Sequence, residues 1–126
     1  MTPARQASPP PPPPRRGEVW WVGLDPTEGS EIQKTRPCVV VSTDALARLP
    51  VRVVVPLTTR QPHHAHRIYA VHVPRDKMNN LQSDSTADPV QVRCVSLERF
   101  RSKLGVLDRS QLMDIVSALA LVVEVP

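Results

Sequence analysis

Three short segments of this chain put groups that can grip a phosphate or move a proton where apolar runs give way to polar residues. In the first, Gly29, Ser30 and Glu31 lead to Thr35, Arg36 and Pro37. The proline biases Arg36 toward an extended backbone and so sets the direction in which its side chain leaves the strand. In the second, Leu57 is followed by Thr58, Thr59 and Arg60; in the third, Gln91 and Arg93 flank Val92. Arginine offers a planar fork of donors matched to phosphate oxygens, where lysine is a compact point charge. Thirteen arginines against three lysines, with a net charge of +4, make nucleic acid the first partner to consider. Each segment alone is ordinary, because strand ends are often polar and GC-rich coding also enriches arginine.

Other reactive residue types carry less. His64 and His66 would share a face on a strand, with His63 as a third imidazole, and could form a metal site or an acid/base pair. Following Pro62, they read instead as a solvated loop that turnover does not need. His72 reads as a half-buried sheet residue. Cys38 and Cys94 each lie in an apolar run and read as buried thiols, with a disulfide between them left open. No CxxC or Cys/His spacing marks a zinc site, and neither metal nor cofactor is expected. Trp20 and Trp21 are neighbours, so a strand turns them to opposite sides. One belongs in the core, while the other could stack a base or fill a dimer interface.

The elements that must position these groups are mostly strands. Residues 18–24 (EVWWVGL), 37–42 (PCVVVS), 51–58 (VRVVVPLT), 68–73 (IYAVHV) and 90–95 (VQVRCV) read as five of them. In the last, Val90, Val92 and Cys94 share one face and Gln91 and Arg93 the other. Residues 27–35 form a loop, Thr43 and Asp44 cap a short helix, 97–101 is one helical turn, and 104–107 is a short final strand. Asp108, with Gln111 as in a capping box, opens a helix whose Leu112, Ile115, Val116, Leu119, Val122 and Val123 form one apolar stripe. The fold class is therefore mainly β with helices (α+β): a compact, barrel-like antiparallel sheet with helices outside. Residues 1–15, with an unbroken proline run from Pro9 to Pro14, read as a disordered tail ahead of a single domain over 16–126. A docking arm for an SH3-like partner is the sharper alternative. No signal or membrane-spanning stretch is visible, and the cytoplasm is the expected compartment.

Taken together, the segments resemble a known family. GEVWWVGLDPTEGSEIQKTRPCVVVS (17–42), VVPLTTR (54–60) and QVRCVSLERFRSKLGVLDRSQLMDI (91–115) are similar, in this order, to the blocks of MazF/PemK-type toxins. The resemblance implies a small antiparallel SH3-like β-barrel of the CcdB/PemK type with a C-terminal helix. It implies a homodimeric, metal-independent endoribonuclease that cuts single-stranded RNA such as mRNA, restrained by an acidic, partly disordered antitoxin. By the same resemblance Arg36 and Thr58 are catalytic, and Ser30, Glu31, Gln91 and Arg93 line the RNA groove. RNA carries its own nucleophile, the ribose 2′-hydroxyl, so the protein need only align atoms and stabilise phosphoryl charge. Arginine stays protonated in proteins, which favours Arg36 as clamp and proton donor over general base. Glu31 is a candidate proton acceptor only by its proximity. The runner-up is a non-catalytic, CcdB-like DNA gyrase inhibitor, and a third reading is an RNA-binding barrel without cleavage. Glu18 stands where many members have Asp, Pro89 enters the strand before Gln91, and the segment 60–67 departs from the usual pattern.

Overall fold

The computed structural model describes residues 12–125. It contains strands β1 (Glu18–Gly23), β2 (Thr35–Val40), β3 (Val51–Thr59), β4 (Val71–Val73), β5 (Ser85–Ala87), β6 (Arg93–Ser96) and β7 (Phe100–Val106), followed by helix α1 (Arg109–Val122). All pairings are antiparallel, in the order β4-β5-β3-β2-β1-β7, with β6 also against β3. The outermost strands β4 and β7 do not pair with each other, so the expected barrel is a curled but unclosed sheet. Strand β3 changes neighbour at Pro56: Val51–Val54 pair with β6, and Leu57–Thr59 with β5. Pro56 has no N–H to donate, and its carbonyl accepts from Asp88 N at 3.1 Å.

The central strands bury both faces, which explains their near-continuous apolar runs. Val19, Val39, Val55, Leu57 and Ile115 form one core between sheet and helix. Trp20, Val22, Leu24, Cys38, Val40, Val54 and Val95 form a second on the other face. Helix α1 is opened by the expected capping box, with Gln111 N donating to Asp108 Oδ1 at 2.7 Å, a contact worth about 1 kcal/mol. Leu112, Ile115, Val116 and Leu119 of its stripe pack on the first core, whereas Val123 is 58% exposed.

Several sequence expectations need correction. The strand expected over 90–95 begins only at Arg93, because Asp88 caps a 3₁₀ turn over Pro89–Gln91 through Val90 N. That shifts the alternation: Val95 is buried, while Val90 and Cys94 are exposed. Cys38 and Cys94 are both free thiols, and burial pushes Cys38 up to about 12. The strand expected from residue 68 is confined to Val71–Val73, and Ile68 lies in a turn, 87% exposed. The final strand starts at Phe100, four residues earlier than expected, and β5 had no counterpart in the sequence reading.

Residues 1–11 of the proline-rich tail lie outside the described residues. At its other end Pro14 is buried, and its carbonyl accepts from Arg52 Nε at 2.8 Å. Arg52 is itself buried and also donates to the carbonyls of Ala47, Leu49 and Val51, so packed structure reaches into the end of the proline run. Among the described residues no helix is long and apolar enough to cross a membrane.

Candidate active site

The site forms where β2 and β3 part. Their last pair at this end is Cys38 with Pro56, and Arg36 and Thr58 each lie two residues beyond it on their own strands. Beyond that pair β3 is held by β5, with Thr58 opposite Thr86, while β2 is held by β1, with Arg36 opposite Val22. Both side chains are half-buried. Arg36 Nε donates to the Gln33 carbonyl at 3.3 Å, which aims the guanidinium and leaves its two terminal nitrogens free of protein partners among the described residues.

Arg36 and Thr58 line two adjoining spaces. One is an open groove of about 650 Å³, which Ser30, Gln61, His64, Arg67, Tyr69 and Gln91 also line. The other is a tighter cavity of about 180 Å³, walled by Trp21, Leu57, Gln82 and Ser83. Four of the six expected site residues, Ser30, Arg36, Thr58 and Gln91, therefore meet in one groove. Glu31 and Arg93 open instead onto a neighbouring depression of about 150 Å³, with Gln91 between the two.

Gln91 and Arg93 also brace the loop between β1 and β2. Gln91 Oε1 accepts from Ile32 N at 3.1 Å and its Nε2 donates to the Ser30 carbonyl at 3.2 Å. Arg93 donates to the Leu24 carbonyl at 3.1 Å, and Arg99 to the carbonyls of Gly23 and Asp25 at 3.0 and 2.7 Å. Glu31 accepts from Glu28 N at 3.0 Å, closing a local turn. Sequence reasoning missed this bracing, and it missed Arg67 and Tyr69 as groove residues, since neither lies in a recognisable block.

Trp20 is the core tryptophan, and its indole N–H donates to Glu18 Oε1 at 3.0 Å. Glu18 also takes Lys103 Nζ at 2.9 Å and Arg15 N at 2.8 Å. Partial burial works against its charge, but these donors outweigh it and hold the carboxyl below its ordinary value. Trp21 is the half-buried one, beside Arg36 and Thr58.

The histidine segment is not simply a solvated loop. Pro62–His66 is a 3₁₀ turn in which His63 and His66 are exposed but His64 is only 6% exposed. Burial, together with repulsion from a protonated form of the neighbouring His63 imidazole, Arg67 and Arg60, lowers the His64 pKa, and Asp88 opposes them. Among the described residues no three His, Cys, Asp or Glu side chains converge in a way that could hold a metal ion.

Residues 15–123 match the family described as PemK-like, MazF-like toxin of type II toxin-antitoxin system. The chain is 34% identical over 114 residues to the endoribonuclease MazF9 of Mycobacterium tuberculosis, covering 85% of this chain and 93% of that protein. It is 30% identical over 105 residues to the endoribonuclease MazF of Staphylococcus epidermidis, covering 83% and 87%. The crystal structure of MazF from Deinococcus radiodurans superimposes with a TM-score of 0.76 at 19% identity, over 90% of this chain and 98% of that one. A mycobacterial endoribonuclease in complex with its cognate antitoxin superimposes with a TM-score of 0.70 at 21% identity, over 90% and 97%.

Proposed function

The chain belongs to the PemK-like, MazF-like toxins of type II toxin-antitoxin systems, and from that premise we propose that it is an endoribonuclease cutting single-stranded RNA. The observation that supports this reading is that Arg36 and Thr58 line the same open groove. The ribose 2′-oxygen attacks the adjacent phosphorus and gives up its proton, the bond to O5′ breaks, and O5′ takes a proton. The products are a 2′,3′-cyclic phosphate and a free 5′-hydroxyl. Arg36 grips the phosphoryl oxygens and Thr58 donates to one of them, so charge developing in the transition state meets donors already in place. A gyrase inhibitor has no need of that pair, which disfavours the CcdB-like alternative.

Because RNA supplies the nucleophile, cutting should proceed unchanged in EDTA and leave ends that a polynucleotide kinase labels without prior phosphatase treatment. Loss of activity in EDTA with recovery in magnesium would overturn the metal-independent mechanism. Binding of RNA without any cleavage would favour the pure binding reading instead.

In this reading Ser30, Glu31, Gln91 and Arg93 serve substrate binding, with Gln91 and Arg93 acting partly by holding the loop that carries the other two. The protein works in the cytoplasm, where mRNA is its target. It does so as a homodimer, with a groove spanning both subunits by two-fold symmetry. An acidic antitoxin segment that orders on binding would occupy Arg36 and Arg93 and exclude RNA. A dimer is expected in sedimentation at micromolar concentration, with competitive inhibition by antitoxin. A monomer, or simultaneous binding of RNA and antitoxin without mutual weakening, would contradict these two claims respectively.

A further inference from the structure

The buried imidazole of His64 is set in one tautomer by a backbone donor, with Thr86 beside it. Gln61 N, a backbone donor that cannot reverse its role, lies 3.2 Å from His64 Nδ1. Thr86 Oγ1 lies 2.8 Å from the same nitrogen and accepts from Arg60 Nη1 at 3.3 Å, and with Nδ1 kept bare by the Gln61 N–H the threonine proton can turn to the ring. Nδ1 is therefore an acceptor, and the single proton of the neutral ring sits on Nε2. Nε2 has no protein partner among the described residues, yet no buried side-chain nitrogen or oxygen there is left unpaired. Nε2 is therefore not sealed from solvent, and His64 lines the groove of Arg36 and Thr58. The brace is also tied to the reacting centre, because Thr86 is the β5 residue paired with Thr58.

A donor of this kind is unsuited to take the 2′-proton, since its only basic nitrogen is already engaged. It is equally a poor choice for phosphate, which Arg36 and Arg67 in the same groove suit better. A neutral donor with a fixed direction is what reads the edge of an unstacked base, while cations hold the backbone. Tyr69, on the same groove, offers a ring on which that base can stack.

We propose that His64 is a specificity-determining residue, its Nε2–H donating to an acceptor on the edge of a base next to the scissile phosphate. The proposal rests on the RNA-cutting function above. It assigns a role to the 3₁₀ turn Pro62–His66, which the mechanism above does not use.

The test is cleavage of a pool of RNAs randomised around the cut, with the cut ends sequenced, for wild type, His64→Asn and His64→Gln. Asparagine keeps an acceptor near Nδ1 but lacks the groove donor, whereas glutamine places an amide N–H near Nε2. His64→Asn should lose about tenfold in discrimination at one nucleotide position, in line with the loss of one base contact. His64→Gln should retain most of it, and both should melt close to wild type. A uniform change in rate at all sites, or an unchanged ranking in His64→Asn, would overturn the proposal. If wild type itself cuts no RNA, it is the function that fails and not this assignment. Should the variants not fold, imidazole nitrogen resonances of the wild-type protein, with and without a 2′-deoxy substrate, decide the matter. A protonated Nε2 whose resonance moves on binding supports the proposal, and a His64 signal indifferent to RNA refutes it.

Discussion

Arg36→Lys is expected to lower kcat/KM for RNA by about a hundredfold or more while leaving the melting temperature unchanged. The substitution keeps the charge and removes the fork. A guanidinium can bind two phosphoryl oxygens at once in a fixed plane, and an ammonium meets them as a point charge on a flexible stem. The local structure sharpens the contrast: Pro37 follows, β1 holds the backbone at Val22, and Nε is turned toward the Gln33 carbonyl. Lysine has no atom equivalent to Nε, so it loses the aim as well as the second prong. Thr58→Ala should also cost about a hundredfold, since it removes one positioned donor and little packing. Single-turnover rates, with circular dichroism as a check on folding, measure both effects. Near wild-type turnover at either position would remove that residue from the mechanism.

Gly105→Ala is expected to destabilise the fold by about 3 kcal/mol, because the added carbon has nowhere to go. A Cβ at this position would lie 2.2 Å from the Met78 carbonyl oxygen and 2.7 Å from the Asn79 carbonyl carbon, both backbone atoms that cannot swing aside. The contact joins two parts of the fold. Val106 N donates to Met78 O at 2.9 Å, and Asn80 Nδ2 donates to Leu104 O at 3.0 Å, so the turn after β4 leans directly on β7. In a domain of this size the melting temperature should fall by more than about 10 °C. Gly29→Ala is the control: φ is +56° but nothing lies within 4 Å, so only the left-handed backbone is penalised, by about 1–2 kcal/mol. Equal melting temperatures for the two variants would show that the turn yields to the added carbon.

The elements most legible in the sequence were those whose pattern is enforced locally. Residues 37–42 and 51–58 read as strands because the apolar run follows from burial of both faces, although β2 itself lies two residues earlier, at Thr35–Val40. Helix α1 read correctly because a 3.6-residue stripe and the Asp108–Gln111 box are properties of a single segment. Elements held by distant partners were not legible. Strand β5 is three residues, Ser85 to Ala87, extended only because β3 and β4 pair with it on either side. At Val90 the alternation was visible but misleading, since Asp88 and Pro89 close a turn there before the ladder can begin.

The same division runs through the site. Blocks of residues in order along the chain were enough, by resemblance, to identify the family to which the chain belongs, and through it to nominate Arg36 and Thr58, which the structure brings to one groove. Sequence alone also placed one tryptophan in the core without choosing between Trp20 and Trp21. Tertiary structure made that choice, because the parity of β1 is set by the strands on both sides of it. It likewise sent Gln91 and Arg93 to brace the loop they were expected only to neighbour, and it took His64 out of water. In each case the deciding partner is remote: Ser30 and Ile32 for Gln91, Leu24 for Arg93, Thr86 for His64. A side chain's type is a local property, but the partner that saturates its hydrogen bonds is chosen only when the chain closes on itself.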